Sequence, residues 1–174
     1  MEEVLTKAKN IKLVIFDVDG VLTDGSLFYG DDGQEYKAFN SRDGHGMKML
    51  QQSGVQVGII TGRTSDVVLH RMKNLNVQHI YQGRLEKLPA FEELIGKLEL
   101  LPEQVAYVGD DVVDLPIMIR VGLAITVPGA HDLVNQHAHW VTSKPAGAGA
   151  ARDICEMIMK AQGSYDAAMA KYLE

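Results

Sequence analysis

Six short apolar runs recur along the chain: Lys12–Val18, Val55–Thr61, Gln78–Gln82, Gln104–Gly109, Leu123–Val127 and Trp140–Thr142. Helical patterns fill most of the gaps between them. That alternation limits the fold more than any other feature. Strands separated by helices pair through right-handed crossovers, which lay them side by side in a parallel sheet with helices on both faces. The intervening segments carry their own signals. "LPAFEELIGKL" puts Leu88, Phe91, Leu94, Ile95 and Leu98 on one helical face. "SDVVLHRMKNL" opens with the capping residues Ser65 and Asp66, and "GMKMLQQSG" stops at Gly54. "DLPIMIRVG" has Pro116 in its first turn and Gly122 beyond its last. "MEEVLTKAKN" reads as a short leading helix. No repeat, low-complexity tract or linker interrupts the 174 residues. The expectation is an α/β fold in one domain, residues 1–174, built on a doubly wound parallel sheet.

One segment breaks the alternation. "SLFYGDDGQEYKAF", residues 26–39, has two β-rich arms around Asp32-Gly33, a strong hairpin signal. Its arms carry Leu27, Phe28, Tyr29, Tyr36 and Phe39. A two-stranded ribbon is marginal alone. The hairpin is therefore expected to protrude and pack against other subunits; the alternative is a ribbon folded back on its own domain.

Composition removes several function classes. A net charge of −6 argues against nucleic-acid and anionic membrane partners, which call for a basic surface. No apolar run is long enough to cross a bilayer, and the polar N-terminus shows no secretory signal. The single cysteine, Cys155, excludes an internal disulfide and fits a reducing cytoplasm. It lies in the apolar helical pattern "ARDICEMIMK", which marks it as a core residue.

In an open parallel sheet, ligands bind beyond the carboxyl ends of the strands. The first run ends in Asp17 and Asp19. The second ends at Thr61, followed by Gly62 and Arg63. After the third, "GRLEK" brings Lys87 to a helix start, and the fourth leads into Asp110, Asp111 and Asp114. Packed carboxylates cannot all stay ionised without a counter-charge. A hard cation such as Mg²⁺ supplies it, taking one or two carboxylates plus water and phosphate oxygens. One carboxylate can then attack phosphorus, and a second can protonate a leaving alkoxide and later activate water. A hydroxyl and an ammonium can hold the phosphoryl oxygens. A bare DxD is usually a solvated turn. Three apolar strands ending in "DVDGVLT", "TGR" and "GDDVVD", with a lysine opening a helix between them, form a far more specific pattern, and it points to a phosphatase.

These motifs resemble those of the haloacid dehalogenase superfamily over nearly the whole chain. With "LFYGDDGQEYKAFNSRDGHG" and "GAGAARDICEMIMKAQG" they are similar to its capless members that hydrolyse phosphate monoesters of acidic keto-sugars. The resemblance implies a Rossmann-like domain without a large cap. It implies Asp17 as nucleophile and Asp19 as acid/base. Mg²⁺ would sit on Asp17, Asp110 and the backbone carbonyl of Asp19. Asp111 and Asp114 would order metal-bound waters or position Lys87, and Thr61 and Lys87 would hold phosphate. Substrate contacts are implied for Asp19, Asn40, Ser41, Arg42, Asp43, Gly44, Lys48, Arg63, Arg71 and Lys87, partly from a neighbouring subunit of a homotetramer. Residues 145–174 form a tail in this reading, with Gly147–Arg152 reaching into an adjacent site. The implied substrate is 3-deoxy-D-manno-octulosonate 8-phosphate, a lipopolysaccharide precursor, since the Arg63 fork suits its carboxylate. A nine-carbon sialic-acid-type 9-phosphate is the alternative. Glu86, His45, Lys48 and Val113 depart from the usual pattern, the last two where substrate contacts are implied.

Other signals are weaker. "HAH", His137 to His139, lacks a third metal ligand nearby and reads as a surface pair. "GAGA" lacks the strand and the remaining glycine of a dinucleotide fingerprint. A signalling receiver domain has its acids first and its lysine last, the reverse of the order here. A silent oligomeric sugar-phosphate binding module on the same fold stays open.

Overall fold

The computed structural model describes residues 1–173. In chain order its elements are α1 (Glu2–Ala8), β1 (Leu13–Phe16), β2 (Phe28–Tyr29), β3 (Glu35–Tyr36), α2 (Ser41–Gln52), β4 (Gln56–Ile60), α3 (Asp66–Asn74) and β5 (His79–Tyr81). They continue with α4 (Leu88–Lys97), β6 (Val105–Val108), α5 (Leu115–Met118), β7 (Leu123–Thr126), α6 (Asp132–His137), β8 (Trp140–Val141), α7 (Ala150–Ala161) and α8 (Tyr165–Ala170). Each of the six apolar runs contains one strand of a parallel sheet ordered β5-β4-β1-β6-β7-β8. Counted by sequence among the sheet strands, that is 3-2-1-4-5-6, the doubly wound order whose direction reverses between β1 and β6. Leu13 pairs with Gln56 on one side and Val105 on the other, and Phe16 with Ile59 and Val108.

Period-two alternation divides the core into two layers. Val14 and Phe16 face one way, with Val57, Ile59, Val108 and Ile125, onto Met47 and Leu50 of α2 and Ile154, Cys155 and Ile158 of α7. Leu13 and Ile15 face the other way, with Val105 and Tyr107, onto Phe91 and Leu94 of α4 and Ile117 of α5. All four residues of β1 are buried, as befits a strand covered on both faces. Cys155 is fully buried in the first layer. His139 is fixed structurally, its Nδ1 accepting from the Ala124 N–H at 2.9 Å.

α2 and α7 pack closely because Gly46 has no side chain: a Cβ there would lie 3.1 Å from the Cα of Arg152. Their second tie is a pair of charge-assisted hydrogen bonds. Asp43, in the first turn of α2, accepts from the backbone N–H of Gly149 at 3.2 Å and of Arg152 at 2.8 Å. It thus caps α7 from across the core. Gly147–Arg152 packs on its own chain: the Gly147 N–H bonds Val21 O at 3.0 Å, and Ala150 and Ala151 are buried. The physical cause is the apolar stripe Ala151, Ile154, Cys155, Ile158, which makes α7 a core helix. Asp43 gives both of its carboxylate oxygens to the start of that helix.

The hairpin forms as expected, pairing Phe28 with Tyr36 and Tyr29 with Glu35, its turn closed by the Gly33 N–H on Gly30 O at 2.9 Å. Its base folds back: Phe39 packs on the core and stacks against the Arg71 guanidinium, 5.9 Å away. Its outer face is open, with Leu27, Phe28, Tyr29 and Tyr36 each about half exposed. Replacing Asp43 with Ala strands the buried N–H groups at the start of α7. The substitution is expected to lower the unfolding free energy by about 1–3 kcal/mol, measurable by urea denaturation, with Asp43→Asn losing less.

Candidate active site

The sheet ladder places Asp17. Its N–H continues the β1–β6 pairing by donating to Val108 O at 2.9 Å, and its Oδ1 accepts from the Val18 N–H at 2.7 Å. Three residues on, the chain turns through Gly20 at φ +85°, where a Cβ would lie 2.1 Å from Asp110 Oδ2. Only glycine allows that backbone and lets the Asp110 carboxylate come so near the β1 loop. Thr61 directly follows β4, its N–H on Tyr81 O at 2.9 Å and its carbonyl accepting from the Arg84 N–H at 3.0 Å. Lys87 is the residue before α4. These strand ends open on a cleft of about 240 Å³ lined by Asp17, Asp19, Thr61, Gly62, Arg63, Leu85, Lys87, Asp110, Asp111 and Val113. It lies where the strand order reverses. A larger hollow, about 710 Å³, opens at the opposite edge of the sheet between Lys9, Lys12, Ser53 and Gln162, away from this chemistry.

Lys87 sits between two carboxylates, 2.7 Å from Asp17 Oδ2 and 2.6 Å from Asp114 Oδ1, its side chain only 1% exposed. Asp114 is fully buried and saturated. Oδ1 also accepts from the Tyr107 hydroxyl at 2.6 Å, and Oδ2 accepts from the N–H groups of Asp110 at 3.1 Å and Asp111 at 3.2 Å. Asp111 is exposed and caps its own turn, accepting from Val112 N–H at 2.7 Å. One oxygen each of Asp17, Asp110 and Asp114 lie within 4.8 Å of one another. Because Asp114 has spent its lone pairs inside the protein, Asp17 and Asp110 are the acids best able to ligate an ion. Against the three carboxylates stands one ammonium, an excess of two negative charges. The titration behaviour records the imbalance. Burial, with the neighbouring charges of Asp17 and Asp114, raises Asp110 to about 7. Burial also pushes Asp17 up and the Asp114 charge adds to it, while Lys87 opposes. Burial disfavours the Lys87 ammonium, but Asp17 and Asp114 outweigh it and hold the lysine charged. An all-oxygen, doubly anionic set fits Mg²⁺.

Asp19 points toward the hairpin. Its Oδ1 pairs with Lys37 Nζ, and its Oδ2 lies 3.9 Å from Arg63 Nε. Arg63 also donates to Glu35 at 3.0 Å and to the Tyr29 hydroxyl. Lys37, Glu35 and Tyr107 were not foreseen from sequence. A lysine in a ribbon reads as solvated, and a tyrosine within "VAYV" reads as core. The remaining implied contacts lie apart from the cleft. Asn40 caps α2, accepting from the Arg42 N–H at 2.9 Å. Ser41 and Arg42 are exposed on its first turn, Gly44 is buried against Arg71, and Lys48 is half-buried farther along the same helix. Arg71 donates to the Asn40 carbonyl at 3.3 Å and so braces the hairpin's base.

Mg²⁺ binding should be proton-linked. The Asp110 carboxyl, near 3.8 when unfolded, is raised to about 7 in the metal-free fold. The folded state therefore holds a proton there that the unfolded state has released, and metal-free stability falls as pH rises through that interval. Mg²⁺ affinity climbs over the same rise, because the ion replaces the proton. Calorimetric titration at several pH values and melting with and without chelator check both signs. A pH-independent Mg²⁺ affinity would show Asp110 already ionised.

The chain is similar to known phosphatases along most of its length. The family profile of haloacid dehalogenase-like hydrolases matches residues 77–154. The 3-deoxy-D-manno-octulosonate 8-phosphate phosphatase KdsC of Salmonella typhi is 48% identical over 165 residues, 95% of this chain and 88% of that protein. The crystal structure of a probable YrbI family phosphatase from Pseudomonas syringae superposes with a TM-score of 0.98 at 49% identity, covering 100% of this chain and 99% of that one. The 3-deoxy-D-manno-octulosonate 8-phosphate phosphatase of Moraxella catarrhalis, solved with magnesium, phosphate and a KDO molecule, has a TM-score of 0.97 at 43% identity, covering 99% of both chains. The chain belongs to the haloacid dehalogenase-like hydrolases, in the 3-deoxy-D-manno-octulosonate 8-phosphate phosphatase family.

Proposed function

We propose that this chain hydrolyses 3-deoxy-D-manno-octulosonate 8-phosphate to the free sugar acid and phosphate, with Mg²⁺ as cofactor. The observation that carries the reading is the Asp17–Lys87–Asp114 cluster beside Asp110 at the strand-order reversal. Mg²⁺ held by Asp17, Asp110 and the Asp19 carbonyl would supply the positive charge that lets an anionic phosphate approach an anionic nucleophile. The protein's own groups do the rest. An Asp17 oxygen bonds to phosphorus as the phosphorus–sugar oxygen bond breaks, and Asp19 gives its proton to the leaving alkoxide. The ionised Asp19 then takes a proton from water, whose oxygen attacks phosphorus and frees Asp17. Lys87 and the Thr61 hydroxyl hold the phosphoryl oxygens. Asp114 keeps Lys87 aimed, since Tyr107 and two backbone N–H groups fix its carboxylate. Arg63, on the rim, is the cation for the substrate carboxylate.

The proposal extends to assembly. The half-exposed Leu27, Phe28, Tyr29 and Tyr36 support packing of the hairpin against other copies in a homotetramer, with Asn40–Gly44 and Lys48 near a neighbour's site. A cytoplasmic location follows from the substrate; no helix of the described residues is long and apolar enough to cross a membrane.

Phosphate release should require Mg²⁺, stop with chelator and return on adding the ion. Across a panel of eight- and nine-carbon keto-sugar acid phosphates, the eight-carbon 8-phosphate should turn over fastest. Asp17→Asn should cut kcat by roughly 10⁴–10⁶-fold while sugar-phosphate binding persists. A wild type inert on the whole panel would favour a binding module. Sedimentation should give a tetramer, and Phe28→Glu with Tyr36→Glu should shift it toward monomer. A wild-type monomer would rule out the assembly.

A further inference from the structure

We propose that Lys37, on the hairpin, is a positioning residue for Asp19. The inference rests on the phosphatase reading above and assigns a role to a residue outside the strand-end motifs.

The placement carries it. Asp19 follows β1 on a turn, and nothing in its own loop fixes its side chain. The Lys37 ammonium, from a ribbon 18 residues later, meets Asp19 Oδ1 with its side chain fully buried. An ammonium buried that deeply needs an anionic partner. Glu35, at 3.4 Å, remains one while Asp19 carries the proton it delivers, and Asp19 Oδ1 accepts from Lys37 with that proton on Oδ2. The opposite Asp19 oxygen faces Arg63 Nε at 3.9 Å, too far for a hydrogen bond. Arg63 is in turn engaged by Glu35 at 3.0 Å. So the ribbon grips Asp19 through Lys37, and Glu35 sets both cations beside it. A general acid must sit within hydrogen-bond reach of the leaving oxygen, and a displacement of 1 Å costs on the order of 100-fold in rate. The hairpin is thus part of the catalytic apparatus of its own chain, apart from any surface it offers to neighbours.

The test is a double-mutant cycle on the Mg²⁺-loaded enzyme with Lys37→Met, Asp19→Asn and both together. The probes are the sugar-acid phosphate, whose alkoxide needs a proton to leave, and p-nitrophenyl phosphate, whose phenolate does not. Lys37→Met should lower kcat on the sugar phosphate by about 10–100-fold, with KM changed less than about threefold. First-turnover release of p-nitrophenolate should change less than about threefold, and Lys37→Arg should recover part of the loss. In the Asp19→Asn background, Lys37→Met should add less than about threefold, because the two act as one unit. Multiplicative losses, equal losses on both probes, or no loss would each overturn the assignment. Should Lys37→Met fail to fold, Lys37→Gln and Lys37→Arg run the same cycle. A wild type that turns over beside an additive cycle sinks only the role of Lys37. An inert wild type sinks the phosphatase reading and this inference with it.

Discussion

Three carboxylates cannot share a dry sheet edge unless something offsets their repulsion, and the Lys87 ammonium between Asp17 and Asp114 is the permanent part of that offset. Everything around it is arranged to keep it there. Tyr107 reaches Asp114 from inside β6, the turn after β6 donates two backbone N–H groups to the same carboxylate, and α4 begins directly after the lysine. The site is therefore continuous with the second core layer rather than set on top of it. Its chemistry and its packing have a common origin in β6.

The cluster is deliberately left short of neutral. One lysine answers three acids, and burial beside Asp17 and Asp114 pushes the Asp110 carboxyl up. The residual anionic character, presented on oxygen atoms alone, suits a hard dication.

Much of this was legible in the sequence. Six apolar runs with helices between them required a parallel sheet, and the order of the runs placed Asp17, Thr61, Lys87 and Asp110 on one edge. Periodicity is a local property, and strand ends are local events. What escaped depended on partners distant in the chain. Asp43 caps a helix through Gly149, 106 residues later, and its surroundings in "NSRDGHG" say nothing of that. Lys37 lies in a ribbon where an alternating pattern predicts a solvated side chain, yet it is drawn under by Asp19. Arg71 stands on the outer stripe of α3 by helical period and still stacks on Phe39. Gly147–Arg152 looks like a loose tail until the apolar stripe that follows it is given a partner in α2. Side-chain pairing across the fold is decided by tertiary placement, which no window of neighbouring residues contains.

The bond from Asp43 to the start of α7 also has a consequence in time. The first core layer is closed by α2 and α7, with α1 and α3 beside them, and the tie from α2 to α7 spans 109 residues of sequence. Ile154, Cys155 and Ile158 must return to that face from far along the chain. A layer sealed by so distant a contact meets its loop-closure entropy before the packing offsets it, which slows folding relative to a fold built on local contacts.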